Sequence, residues 1–404
     1  MNRDLHLAAF LAARAVAVFV TQVQAVVVGW QLYDATRDPM ALAWAGLAQF
    51  LPMLCLLLPA GDLIDRVPRR TVLAASWLGA AACSGLLGWL SRDGVASEAG
   101  VYATLVLFGC TRAFSGPALQ SLLPQIVPRE RLARAIASNS MLMRAATIGG
   151  PVAGGTLYAL GGGAATYPVC LAGFVLASAL LAGIRVVAVP PAAVADGMWR
   201  RFGAGLRFIA SRPVVLGTIS LDLFAVLLGG VVALLPVYAH EVLQVGPQGL
   251  GVLRGAMAAG ELCAGVWLSL RPFDRRVGAT MFVAVGVFGA ANLVFALSTS
   301  FWLSMAALAV AGAADMVSVY VRGALVQFST PDAMRGRVNA VNMLFVGSSN
   351  ELGEFRAGTG AAWLGAVPAA VAGSLCTLGV VGVWAAAFRS LREVDRFEDA
   401  GRVP

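Results

Sequence analysis

Apolar runs of about twenty residues, each closed by a short cluster of charged or turn-forming residues, recur along the whole chain. A helix needs roughly 20 apolar residues to cross the hydrocarbon core of a bilayer. Twelve stretches meet that need, at 8–32, 41–60, 71–90, 99–124, 135–160, 166–188, 213–238, 248–270, 277–298, 301–328, 338–364 and 368–388. The predicted fold class is an all-α membrane protein of twelve transmembrane helices, with no stretch left for a water-soluble domain. The first run, Leu7 to Leu32, is too long for a signal-peptide core and has no small-residue cleavage site, so it is expected to be retained as a span.

Residues 189–212 open on Pro190 and Pro191 and then place Trp199, Phe202, Leu206 and Ile209 at helical spacing, with Arg200, Arg201 and Arg207 between them. That pattern predicts an amphipathic helix on the cytoplasmic surface. The expected organisation is an N-terminal six-helix bundle (1–188), this linker (189–212), a C-terminal six-helix bundle (213–388) and a cytoplasmic tail (389–404).

Composition agrees. Of 404 residues 59% are hydrophobic and 12% charged, far below the roughly 25% charge of a soluble domain. The net charge of +8 would suggest nucleic acid in a soluble protein, but all 29 basic residues are arginines lying between or within apolar runs. With both termini cytoplasmic, 21 of the 29 fall on that side, counting Arg185 at the cytoplasmic end of span six, two (Arg37 and Arg92) on the other, and six inside spans. This one-sidedness orients the chain by the positive-inside rule and supports an even number of spans, because a missed helix would scramble the alternation. The implied location is a bacterial inner membrane. The six cysteines lie inside predicted helices without metal-ligand spacing and read as small apolar fillers.

Two segments repeat. Pro128 to Asn139 reads PRERLARAIASN and Pro331 to Asn342 reads PDAMRGRVNAVN, both P-x5-R-x4-N in the loops after spans four and ten. The offset is 203 residues, half the chain. Six spans, an even number, separate the copies, so the halves are parallel repeats about an axis along the membrane normal.

Gly61-Asp62-Leu63-Ile64-Asp65-Arg66-Val67-Pro68-Arg69-Arg70, between spans two and three, resembles the G-x3-D-R-x-G-R-R signature of the major facilitator superfamily, with Pro68 where that family usually has Gly. The resemblance extends over the whole chain and implies the six-plus-six fold and alternating access. It also implies that Asp65, with Arg66, Arg69, Arg70 and Arg337, forms a latch at a cytoplasmic gate that includes Gly61; the alternative is that these arginines only set topology. Arg112-Ala113-Phe114-Ser115-Gly116 is similar to the superfamily's span-four element. Gly149-Gly150-Pro151-Val152-Ala153-Gly154-Gly155 in span five resembles the G-P-x-x-G-G element of its exporters. Physically, Gly150, Pro151, Gly154 and Gly155 soften a helix and admit another backbone at an inter-half interface. Ser348 to Phe355, with Arg335-Gly336-Arg337 ahead of it, is similar to the drug and siderophore exporter branch.

A charge near the bilayer centre costs on the order of 2.5–3.5 kcal/mol on insertion scales, so each one needs a reason. Arg112, Asp222 and Asp315 fall about 9 to 14 residues from predicted helix ends, near the midplane. In the superfamily plan these spans line a central cavity together with span one and its Gln22, Gln24 and Gln31, with Arg322 nearby. Asp315 and Arg322, seven residues apart on one face, can alternatively form a structural pair. Arg144 and Glu261 lie at similar depth in spans five and eight and are expected to pair. Asp222, Asp315, Glu261, Glu351 and Glu354 are the candidates for carrying a proton, Asp222 and Asp315 first, because a desolvated carboxylate can exchange a proton near neutral pH.

The expected function is proton-coupled export of a small amphipathic organic molecule by a monomer in the lipid bilayer, with no cofactor, no metal and no nucleic acid. The alternatives are a lipid or metabolite transporter on the same fold and a transport-inactive receptor or scaffold. A Walker-type nucleotide site is impossible without lysine, and two isolated histidines provide no catalytic cluster for an intramembrane enzyme.

Overall fold

A computed structural model of the chain describes all residues except 1–2, 93–96, 127–128, 185–197 and 402–404, together with some side chains inside helices, Asp65 among them, that lie outside the description. Its helices are α1 (Arg3–Thr36), α2 (Pro39–Arg66), α3 (Arg69–Leu90), α4 (Glu98–Ile126), α5 (Arg129–Ala182), α6 (Met198–Ser211) and α7 (Pro213–Gly229). There follow the short α8 (Leu235–Val237), then α9 (Gly246–Leu270), α10 (Val277–Leu297), α11 (Phe301–Ser329), α12 (Asp332–Leu364), α13 (Ala366–Ala387) and α14 (Arg389–Arg392).

Every predicted span but the seventh lies on one of these helices; the seventh, 213–238, is interrupted after Gly229. The 54 residues of α5 hold two of them, divided at Gly162, whose φ of 63° and ψ of −166° interrupt the helix. Glycine takes that backbone without a Cβ penalty. Among the described residues eight helices are long and apolar enough to cross a membrane. The helices α4, α9 and α12 fall outside that set, and each carries charge along its middle: Arg112 in the first, Arg254 and Glu261 in the second, Glu351, Glu354 and Arg356 in the third. Their low hydropathy is thus local, and marks where polar chemistry is concentrated.

The chain divides into two compact units, residues 1–193 with 244–255, and residues 194–243 with 256–404. In the first unit α1 packs on α5, α3 on α5 and α4, and α2 on α4. Phe10, Leu73, Leu122, Cys170, Phe174 and Leu181 form much of its core. Close approach depends on glycine at particular points: a Cβ on Gly154 would stand 2.9 Å from the Val23 carbonyl oxygen of α1. The start of α9 belongs to this unit, with Gly251 set against the Pro151 carbonyl of α5 and Gly255 against the Ile148 carbonyl. In the second unit α10 packs on α11 and α13, and α7 on α12 and α13.

The repeat segments, expected as loops, are helix starts. Pro331 is the N-cap of α12, and the corresponding segment of the first half, from Arg129, opens α5. Proline fits there because the first turn of a helix has no use for its missing N–H. Asn139 and Asn342, which close the two motifs, each bury a side-chain oxygen without a hydrogen-bond partner.

The amphipathic helix forms as α6, and its apolar face lies on protein. Ile209 is buried with Val215, Ile219, Val338 and Val341, and Phe202 and Phe208 pack around them. Gly205 sits beneath the Arg337 carbonyl of α12. Pro190 and Pro191 and the side chain of Trp199 lie outside the described residues.

The segment expected as a cytoplasmic tail packs against the helices as a strap. Leu391, Val394, Phe397 and Ala400 are buried against Val277, Met281 and Val321. Phe397 meets Phe273, Tyr320 and Phe328 at centroid distances of 6.3, 6.0 and 6.0 Å. Helix α10 begins after Arg276, in the left-handed region with no cap from its own side chain. Its first N–H groups are satisfied by the strap: Arg276 N donates to Asp395 Oδ1 at 3.0 Å, Val277 N to the Asp395 carbonyl at 3.2 Å and Gly278 N to the Val394 carbonyl at 3.1 Å. The Arg276 N–H and the Arg275 side chain hold the Asp395 carboxylate below its usual range. Its contribution is therefore present above the unfolded value, about 3.9, and is lost as pH falls through the lowered one.

Replacing Phe397 by Ala should cost about 3 kcal/mol of stability, the usual loss for emptying an aromatic site, and should deprotect the amides of Val277 and Gly278. Hydrogen exchange on the full chain measures both, and unchanged protection at those two amides would contradict the docking.

Candidate functional site

The strongest polar feature of the second unit is an ion pair. Asp222 of α7 and Arg322 of α11 approach at 2.8 Å between Oδ2 and Nη1, with side-chain exposures of 6% and 7%. Asp222 lies nine residues from the start of α7 and Arg322 seven from the end of α11, roughly 10–14 Å along each helix at 1.5 Å per residue. The two therefore meet at matched depth.

The pair is tight in distance but incompletely satisfied. Nη1 of Arg322 has no aligned hydrogen-bond acceptor despite its closeness to the carboxylate, and the buried Ser318 hydroxyl has none either. Ser318 stands one turn before Arg322 and within interaction range of Asp222; rotation of its hydroxyl would align the bond. A partly satisfied buried network is costly, so this cluster is not what packing alone would select.

A pairing of Arg322 with Asp315 on its own helix was the alternative to a cavity role for both. The structure gives Arg322 to Asp222 instead, because the i, i+7 spacing shares a face but not a contact distance, while α7 packs directly on α11. Asp315, Glu261, Glu351 and Glu354 are partly exposed in the second unit.

In the first unit the glutamines of α1 join helices. The Ser84 hydroxyl donates to Gln24 Oε1 at 2.6 Å; Gln31 Nε2 donates to Ser91 Oγ at 2.8 Å, and the Tyr167 hydroxyl to Gln31 Oε1 at 2.9 Å. Gln24 is 2% exposed. The two glutamine–serine pairs repeat after seven residues on both helices, a spacing visible in the sequence that identifies α1 and α3 as parallel neighbours. Gln22 packs its Cβ against Gly150. Arg112 is partly exposed in mid-α4, its main-chain carbonyl accepting from Ser115 at 3.2 Å. Gly150, Pro151, Gly154 and Gly155 are all buried, and Arg144 is partly exposed on the same helix.

Of the predicted gate residues, Gly61 lies in the last turns of α2 and Arg66 is exposed at its end. Arg69 begins α3. Arg70 donates from Nη1 to the carbonyls of Ile184 at 2.6 Å and Ala182 at 3.3 Å. It thereby caps α5 within the first unit, where a cation is favoured by the helix dipole. Arg337 lies over Met334, Nη1 to Sδ at 3.8 Å. The Asp65 side chain lies outside the described residues. Among the described residues no group of His, Cys, Asp and Glu is placed to hold a metal.

Apolar helices of spanning length, a buried charge pair joining two of them and a glycine-lined helix contact define a membrane transporter of the major facilitator type. The chain belongs to the transmembrane secretion effector family, whose profile matches residues 4–402. Enterobactin exporters EntS of Citrobacter koseri and of Escherichia coli O127:H6 are each 28% identical over 297 residues, which is 70% of this chain and 68% of theirs. Among solved structures, a bacterial homologue of the iron transporter ferroportin, inward-facing, gives a TM-score of 0.73 at 17% identity over 98% of this chain and 100% of that one. A bacterial homologue of the human lysosomal transporter Spinster gives 0.71 at 16% over 100% and 97%. At these identities the structures establish the fold.

Removing one charge should cost far more than removing both. Arg322→Met should destabilise the protein by about 3–5 kcal/mol by leaving a buried carboxylate uncompensated, while adding Asp222→Leu should recover most of the loss. Denaturant unfolding in detergent micelles measures the cycle, and additive single effects would contradict a direct pair.

Proposed function

We propose that this transporter is a proton-coupled exporter of a small amphipathic organic molecule, siderophore-like in class, and that Asp222 is the group through which the proton is exchanged. The observation that carries this reading is the buried Asp222–Arg322 contact with its unmatched hydrogen-bonding groups. A carboxylate paired with arginine can exchange that partner for a proton or for cargo, provided the released Arg322 side chain finds another acceptor. Energy is needed to leave the pair only when neither a proton nor cargo replaces Arg322.

Export rather than uptake is supported by the kinship with enterobactin exporters and by the exporter-like glycine element of α5. The protein acts as a monomer in the inner membrane with both termini cytoplasmic, and its arginine distribution supports that orientation. Cargo contacts are assigned to Gln22, Arg112, Asp315 and the Asp222–Arg322 pair, the latch to Asp65 with Arg66, Arg69 and Arg337, and a contact in the transport cycle to Arg144 with Glu261. The remaining carboxylates, Glu351 and Glu354, are secondary candidates for the proton.

Reconstituted protein supplied with enterobactin and an imposed pH gradient provides the test. Wild type should transport in response to the gradient. Asp222→Asn should slow gradient-driven transport at least tenfold, with Asp315→Asn and Glu354→Gln closer to wild type. Wild-type transport indifferent to the gradient, or an unaffected Asp222→Asn protein, would overturn the proton assignment.

A further inference from the structure

Span seven is expected to run unbroken from 213 to 238, but α7 stops at Gly229. Gly230 is extended, with φ −61° and ψ 128°. The chain resumes as a 3-10 turn (Val232–Leu234), the short α8 and a π-helical turn (Tyr238–Val242). A helix that stops inside the spanning region leaves its last carbonyls without intrahelical donors, and in hydrocarbon each costs several kcal/mol unless the protein supplies a partner.

Side chains of three neighbouring helices donate to carbonyls at the break and one turn before it. Thr377 Oγ1 of α13 donates to the Ala225 carbonyl at 2.9 Å, Asn292 Nδ2 of α10 to the Gly229 carbonyl at 3.4 Å, and Arg356 Nη2 of α12 to the Gly230 carbonyl at 3.4 Å. The seat is closely fitted. A Cβ on Gly373 would stand 3.0 Å from both Arg356 Nη atoms, and a side chain at Gly229 would collide with Thr377. Arg356 thus places a cation at the C-terminal, negative end of the α7 dipole, while its Nε and the Asn292 Oδ1 stay buried without hydrogen-bond partners. Beyond the break, Tyr238 anchors the chain again, its hydroxyl donating to the Ala296 carbonyl at 2.9 Å and its ring 4.6 Å from that of Phe295.

We propose that Gly229–Gly230 is a hinge between α7, which carries Asp222, and the segment 231–243, and that Arg356 is the positioning residue that holds the hinge closed. The bonds at 3.4 Å are long, and the unmatched Nε and Oδ1 mean that the collar satisfies the break without saturating it. Swinging of 231–243 exchanges the Arg356 contact at Gly230 while leaving α7 in place through Thr377 and Asn292. Movement of the outer part of span seven is thereby tied to α12. The inference depends on neither the identity of the cargo nor the coupling ion.

Amide hydrogen exchange on the full chain in nanodiscs tests it without any cargo. In Arg356→Gln, exchange across 230–243 should rise about tenfold, the effect of losing one hydrogen bond to a charged group, with 214–228 and α10 protected as in wild type. Arg356→Lys, which keeps the cation at the helix end, should return exchange to near the wild-type rate. Should Arg356→Gln not assemble, Arg356→Met, which also removes the donor to the Gly230 carbonyl, should give the same local rise. No rise across 230–243, a rise shared equally by α10 and α13, or failure of lysine to rescue would overturn the proposal.

Discussion

A polar group inside a hydrocarbon layer must find its partner within the protein, and the contact between Asp222 and Arg322 is where that requirement is most severe. Two full charges are withdrawn from water at 6% and 7% side-chain exposure, and such pairs are weak sources of stability because desolvation offsets most of the attraction. Two well-packed apolar residues would serve the fold at least as well. The proposed exchange of partners at Asp222 would account for keeping the pair. Its helices, α7 and α11, then need fixed positions. The collar at the end of α7 and the strap across the C-terminal part of α11 provide them: Phe397 packs on Tyr320 and Phe328, which flank Arg322 along one helix.

The same requirement organises the first unit with neutral groups. Gln24 with Ser84, and Gln31 with Ser91 and Tyr167, tie α1 to α3 and α5 by hydrogen bonds whose donors and acceptors match. Interhelical bonds of this kind are worth about 0.6 kcal/mol on average in membranes. Their larger effect is on register, since a slip of one residue would bury an amide against hydrocarbon. Close backbone contact supplies the remaining attraction, and Gly150 and Gly154 permit it by letting α5 lie directly on the main chain of α1. The first unit is thus fastened in part by neutral pairs and glycine contacts, and the second holds the buried Asp222–Arg322 pair.

Much of this was legible in the sequence. Hydropathy marked twelve stretches, all but the seventh on a single helix, because bilayer thickness leaves a chain few ways to cross. The three least apolar helices, α4, α9 and α12, were recognised from length and alternation despite their internal charges. Asp222 was marked as costly where it lies, but its partner was not, since periodicity compares residues on one helix and Arg322 meets α7 through tertiary packing. The break in α7 had a signal in the Gly229-Gly230 pair, outweighed by the apolar run around it. The strap had one in Leu391, Val394, Phe397 and Ala400, spaced by three between charges, which reads as a tail until the uncapped start of α10 is known.

The central claim is that Asp222 exchanges a proton in competition with cargo, and the pH dependence of cargo affinity measures it directly. With enterobactin as ligand and the full chain in detergent, wild type should bind more weakly as pH falls, approaching tenfold per pH unit on the acid side, the slope for one linked proton. The ligand's own titration is common to both proteins, so the comparison with Asp222→Asn isolates the carboxylate. A flattened dependence in Asp222→Asn is the predicted result, and the same slope in both proteins would contradict the account.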